Sequence, residues 1–110
     1  MTSRALQAEV FYSKLAAEPD LAELVGLFVL ELPARLCLLS EAAAAGDMEM
    51  VGRIAHQLKG AGGSHGFPQI GPPALKLELA AREAKSPAAL TAALEELAAV
   101  CARIRAGQPN

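Results

Sequence analysis

Apolar residues recur along positions 21–43 in steps of four and three: Leu21, Val25, Phe28, Leu32, Leu36, Leu39 and Ala43. That spacing predicts one long helix with a continuous seam turned towards a bundle core. "EPD" at 18–20 marks its start and Gly46 its stop, while Pro33 inside the pattern calls for a kink or a split. Asp47 is placed to cap a second helix, in which Val51, Ile54, Leu58 and Ala61 form the apolar stripe. This helix runs out among the glycines at 62–66. "GFPQIGPP" then reads as a turn-rich connector, with Pro72 or Pro73 in the first turn of a third helix through "ALKLELAAREAK". Ser86-Pro87 opens a fourth helix, with Leu90, Leu94, Leu97, Cys101 and Ile104 in register. A short helix around residues 6–16 is expected to cover one end. Short connections make sequence neighbours adjacent and antiparallel. The expectation is an all-α fold: an antiparallel up-down-up-down four-helix bundle with a short N-terminal lid helix. It forms one domain over 1–110, with its core at about 20–105.

Composition supports helices packed on helices. The chain is 53% hydrophobic but only 4% aromatic, and the β-branched residues a sheet would want are scarce. A chain of 110 residues buries a core without needing a staple. The net charge of −2, with no basic stretch, excludes nucleic acid as a partner. Cys37 and Cys101 are too few and too far apart for a disulfide framework, so both read as buried free thiols in a reducing cytoplasm. "MTSRALQAEV" lacks the layout of a signal peptide. Positions 21–45 are interrupted by Glu23, Glu31, Pro33, Arg35 and Glu41, which makes a membrane span costly. The expectation is a soluble, cytoplasmic monomer, and Met1 with compact ends leans towards a free protein.

The second helix also carries the candidate chemistry. With His56 at zero on a helical wheel, Val51, Ile54, Leu58 and Ala61 fall within about 40° of the opposite side. His56 therefore faces away from the core. Lys59 lies about 60° to one side of it, and Gly60 about 40° to the other. Gly52 and Gly63 also fall within about 40°, while Arg53 lies about 60° away and Gln57 about 100°, both on the Gly60 side. An exposed glycine inside a helix costs about 1 kcal/mol against alanine. Three of them around one imidazole read as a cleared surface. Imidazole is the side chain whose neutral, nucleophilic form is populated near pH 7. A phosphoryl group on it would bring negative charge that Lys59, one turn on, is placed to offset. No second catalytic residue is evident nearby. The helix offers a target for a phosphoryl group without the machinery to move one.

"AHQLKGAGGSHG" at 55–66 resembles the signature of histidine-containing phosphotransfer (HPt) domains, with His56, Leu58, Lys59, Gly60 and Gly66 in the family's spacing. "LELAAREA" at 77–84 and "FVLELPARL" at 28–36 resemble the helices on either side, and the likeness covers roughly residues 21–104. The resemblance implies a phosphorelay intermediate in two-component signalling. His56 would take a phosphoryl group from the phospho-aspartate of one response-regulator receiver domain and pass it to the aspartate of another. One of these receivers would be carried on a hybrid histidine kinase where the relay uses one. Mg²⁺ would belong to the receiver, and this chain would need no cofactor and no metal. The resemblance also implies a carrier that is not an enzyme. In agreement, the sequence has no glycine-rich nucleotide loop.

Some residues keep a plainer reading. His65, nine positions after His56, lacks the i, i+4 spacing of helical metal ligands and reads as shaping the turn in "SHGF". Gly63 and Gly66 either belong to the cleared face or end the helix in a left-handed turn. Arg53 and Gln57 are candidate partner contacts beside Gly52, Gly60 and Gly63, and Glu78 reads as structural. Leu27, Leu30 and Leu38 fall outside the seam, either under the lid helix or in an apolar docking patch. Two other functions compete. One is a helical adaptor that binds a receiver or kinase without transfer, which leaves His56 unexplained. The other is the dimerising phosphoacceptor hairpin of a histidine kinase, which usually has an acidic residue where Gln57 stands.

Overall fold

The computed structural model describes residues 9–83 and 85–109. Four α-helices form the body: α1 (Pro19–Ala44), α2 (Met48–Ser64), α3 (Gly71–Arg82) and α4 (Pro87–Cys101). A single 3₁₀ turn (Pro68–Ile70) leads directly into α3. Strands β1 (Phe11–Tyr12) and β2 (Ile104–Arg105) pair in parallel, Phe11 opposite Ile104.

The helix boundaries follow from local chemistry. Asp47 accepts a hydrogen bond from the Met50 amide at 3.1 Å, and Ser86 accepts one from the Ala89 amide at 3.2 Å. Each side chain satisfies an amide that the first helical turn leaves without a partner. At the end of α1, Gly46 adopts φ 75°, its amide donates to Ala43 O and the Asp47 amide donates to Ala42 O. Gly66 ends α2 in the same way with φ 85°, the Gly66 amide donating to Gly63 O and the Phe67 amide to Gly62 O. Both ends are Schellman motifs, in which a left-handed residue turns the chain back onto the last carbonyls.

α1 continues unbroken through Pro33, so the split alternative does not hold. An interior proline costs about 3 kcal/mol. Val25, Phe28, Leu32, Leu39 and Ala42 of the same helix are buried, and burying a large apolar side chain returns about 1.5–3 kcal/mol each. Packing therefore outweighs the proline.

The largest fully buried side chains are Phe67, Leu39, Leu58, Ile70, Leu77, Leu97, Val25 and Val51. Two of these come from the connector: Phe67 stacks on Phe28 of α1, and Ile70 packs against Gly62 of α2. Gly52 lies against Ala81 and Arg82, His56 meets Glu78, and Gly62 lies against Ile70. Lys76 pairs with Glu96 across α3 and α4 at 2.9 Å.

Three expectations need correction. Over residues 9–16 no lid helix forms; residues 6–8 lie outside the described residues. "VFY" at 10–12 is a β-favouring run, and β2 supplies its partner: the Phe11 amide donates to Arg103 O at 2.7 Å. The next residues clasp the end of α2, with Ser13 Oγ donating to His65 O at 2.6 Å and the Lys14 amide to Gly66 O at 3.0 Å. Ile104 is buried as expected but sits in β2, because α4 ends at Cys101. Cys101 is buried, and burial pushes its thiol up to about 11, but Cys37 is exposed. The Cys37 thiol hydrogen-bonds to Glu41, whose proximity pushes its pKa up and keeps it protonated.

Candidate functional site

α2 presents His56 outwards, with its side chain 60% exposed, while Val51, Ile54, Ala55 and Leu58 are buried behind it. Helical spacing thus aims the imidazole, and α3 holds it. His56 Nδ1 lies 3.1 Å from Glu78 Oε2. An ionised carboxylate can only accept, so Nδ1 carries the hydrogen and the Nε2 lone pair is free.

Glu78 is itself buried and gathers three partners, two of them cationic. Besides His56, its Oε2 lies 3.0 Å from Arg82 Nε, and its Oε1 lies 3.5 Å from Lys59 Nζ. Burial alone would raise its carboxyl pKa. The charges of Lys59, His56 and Arg82, with the hydrogen bond from His56, outweigh that and hold it below the usual range. The carboxylate is therefore ionised at neutral pH and locks the imidazole tautomer.

In the sequence Glu78 reads as structural, and no second residue stands out beside His56. Glu78 lies 22 positions away, and only the packing of α2 on α3 brings the two together. One signal was present: the carboxylate sits next to the buried Leu77 and Ala81 on an apolar face, where a charge needs partners.

The glycines divide into three groups. A Cβ added at Gly60 or Gly63 would meet nothing within 4 Å, so both border open surface beside His56. Gly52 does not. It is buried, and a Cβ there would lie 3.5 Å from Arg82 Cγ, because the last turn of α3 leans over that side of α2. Gly66 belongs to the helix end. A Cβ there would collide with Ser13 Oγ and lie 2.9 Å from the Lys14 amide, on a backbone already at φ 85°. Gly62, which the helical wheel left unassigned, permits close packing: a Cβ there would lie 2.8 Å from Ile70 Cβ.

His65 caps α2 and stacks on Phe28 with centroids 4.6 Å apart, and its Nδ1 donates to Ala61 O at 2.7 Å. It shapes the turn, as expected. Arg53 and Gln57 are exposed on the other flank of His56. They rim a groove of about 540 Å³ between α1 and α2, whose floor includes Leu38, Ala42, Met50 and Ile54. Leu24 and Leu27 share Leu38's side of α1 to within about 40°. All three are exposed, as is Leu30, and among the described residues no lid covers them.

A nucleophilic imidazole held by a carboxylate, with an ammonium one turn on and bare backbone beside it, suits acceptance of a phosphoryl group. A comparison with protein families agrees: the model of the Hpt domain matches residues 23–107. The chain belongs to the Hpt family. Hpt domains carry phosphoryl groups on histidine in phosphorelay signalling, and they interact with receiver domains. Comparisons with curated proteins and with solved structures find no match. Among the described residues of this Hpt protein, no cluster of three or more His, Cys, Asp or Glu is arranged to hold a metal ion, and no helix is long and apolar enough to cross a membrane.

Proposed function

We propose that this protein is a phosphorelay intermediate in which His56 Nε2 is the phosphoacceptor. The donor is the phospho-aspartate of one receiver domain, and the acceptor is the aspartate of another, including a receiver carried on a hybrid histidine kinase. The observation that carries the reading is the His56–Glu78 contact, which leaves an exposed Nε2 as the free nucleophile of the site. Nε2 approaches phosphorus in line with the departing aspartyl oxygen. The N–P bond forms as the P–O bond breaks, and the bonding pair stays on the aspartate. Nδ1 keeps its hydrogen, so the ring gains positive charge facing the Glu78 carboxylate. Glu78 stabilises that charge without taking the proton, the role the buried aspartate plays in a Ser-His-Asp triad.

The Mg²⁺ and the groups that polarise the phosphoryl belong to the receiver. This chain is a carrier with no autokinase machinery of its own. Gly60 and Gly63 let the partner's backbone approach, with Lys59, Arg53 and Gln57 at the edges of the same face. The groove at Leu38, with Leu24 and Leu27 beyond it, seats the receiver's apolar docking helix. The pairings Gly52–Arg82, His56–Glu78 and Gly62–Ile70 support an antiparallel up-down-up-down course, and the α3–α4 pair Lys76–Glu96 extends it. We place the protein in the cytoplasm as a monomer, where receiver domains act.

The test is phosphotransfer from a panel of receiver domains charged with acetyl phosphate. The wild type should acquire an acid-labile, base-stable label, and His56→Gln should acquire none while its helical circular dichroism is unchanged. Label retained by His56→Gln refutes the assignment.

A further inference from the structure

The carboxylate of Glu78 is shared unequally, and the inequality has a consequence for the phosphorylated state; the inference rests on the phosphotransfer reading above. Oε2 has two close partners, a hydrogen bond from His56 Nδ1 at 3.1 Å and an ion pair with Arg82 Nε at 3.0 Å. Oε1 receives only the Lys59 ammonium at 3.5 Å, and this buried oxygen has no hydrogen-bond partner among the described residues. Arg82 is one helical turn from Glu78 on the same helix, so its pairing needs no change in packing. Lys59 projects from α2, the helix that carries His56, three residues further on. It is the loosely held cation of the pair and lies on the nucleophile's own helix.

A phosphoryl group on Nε2 brings about two negative charges to the edge of this cluster. Lys59, held at 3.5 Å, would turn to it by loosening its contact with Oε1. In a site with a single counter-ion, that departure would leave a buried carboxylate uncompensated, which is costly. Arg82 removes the obstacle. We propose that Arg82 is a positioning residue for phosphotransfer: as the fixed counter-ion of Glu78, it frees Lys59 to move from the carboxylate to the phosphoryl group. Arg82 touches neither the phosphoryl nor the imidazole. It acts through the availability of Lys59, and the covalent step is unchanged, with no proton moved.

The test is a double-mutant cycle on the transfer rate, using Lys59→Met, Arg82→Met and the double variant with one acetyl-phosphate-charged receiver. Methionine keeps the apolar stem that covers Gly52. In the wild-type background, Lys59→Met should slow transfer on the order of tenfold, the rate equivalent of one partly screened charge contact. In the Arg82→Met background the same change should cost less than about threefold, because Lys59 is already retained by Glu78. Arg82→Lys should restore most of the rate. Ring ¹⁵N shifts of His56 should show Nδ1–H in both the wild type and Arg82→Met. Additive losses, a full rate in Arg82→Met, no rescue by lysine, or a changed tautomer would each overturn the role. If wild-type protein accepts no phosphoryl from any receiver, the phosphotransfer reading itself fails. If the wild type transfers and the cycle is additive, only the role of Arg82 fails.

Discussion

Gly60 offers a perturbation in which stability and function should move in opposite directions. It is exposed, sits four residues before the end of α2, and a Cβ added there would meet nothing within 4 Å. Gly60→Ala therefore adds no clash and recovers the helix propensity that glycine forfeits, about 1 kcal/mol. For a domain of this size that gain raises Tm by about 4 °C, read by thermal circular dichroism. Gly60→Gln should also fold, since glutamine is a good helix former. Both variants place atoms on the surface beside His56, where the proposed transfer would bring a receiver's aspartate within bonding distance of Nε2. A misplacement of about 1 Å at a reacting centre can cost on the order of 10²-fold. Transfer should therefore fall modestly in Gly60→Ala and by about 10–100-fold in Gly60→Gln, read by loss of label from a phosphorylated receiver under single-turnover conditions. Gly26→Ala is the control. Its Cβ also meets nothing within 4 Å, but it lies on α1, so stability should rise with transfer unchanged. A Gly60→Gln variant that is stable and transfers at the wild-type rate would refute the clearance argument. A fall in Tm for Gly60→Ala would refute the open surface.

Gly62→Ala should do the reverse of Gly60→Ala. Its Cβ would sit 2.8 Å from Ile70 Cβ and 2.9 Å from Ile70 Cγ2, atoms close to the backbone with little room to yield, so overpacking of about 1–3 kcal/mol should exceed the propensity gain and lower the urea midpoint. An unchanged or higher midpoint would show that α2 and the 3₁₀ turn can part at low cost. Glu78 should leave a signature in the pH dependence of stability. Its folded pKa is depressed, so its contribution is complete above the unfolded value of 4.5 and disappears as pH falls through the lower folded value. Glu78→Gln should therefore flatten the acid limb of the Tm profile below about pH 4.5, and an identical acid limb in wild type and variant would contradict the ionised, paired carboxylate.

The parts that the sequence made legible are those with local causes. Asp47 and Ser86 cap helices because their side-chain oxygens reach amides two or three residues on, and that reach does not depend on the rest of the fold. The outward face of His56 follows from the apolar residues behind it on the same helix, as does the exposure of Gly60 and Gly63. The segment at 9–16 failed for the opposite reason. Its apolar spacing suits a helix, but its amides find partners in Arg103 and Gly66, far along the chain, and a distant partner leaves no mark on local periodicity. Gly52 failed in the same way: the wheel gives its angle correctly, but not that Arg82 of another helix lies over it.

The sequence by itself determined that this chain is helical, with one outward imidazole on a glycine-bordered face. Both properties arise within single helices, from the period of 3.6 residues and from caps and breakers. Tertiary packing decided which nitrogen of that imidazole is free. The choice depends on a carboxylate delivered by α3, and on the cations that keep it ionised once it is buried. It also sorted the glycines into open surface, helix end and close contact, because a missing side chain has meaning only against whatever lies opposite it.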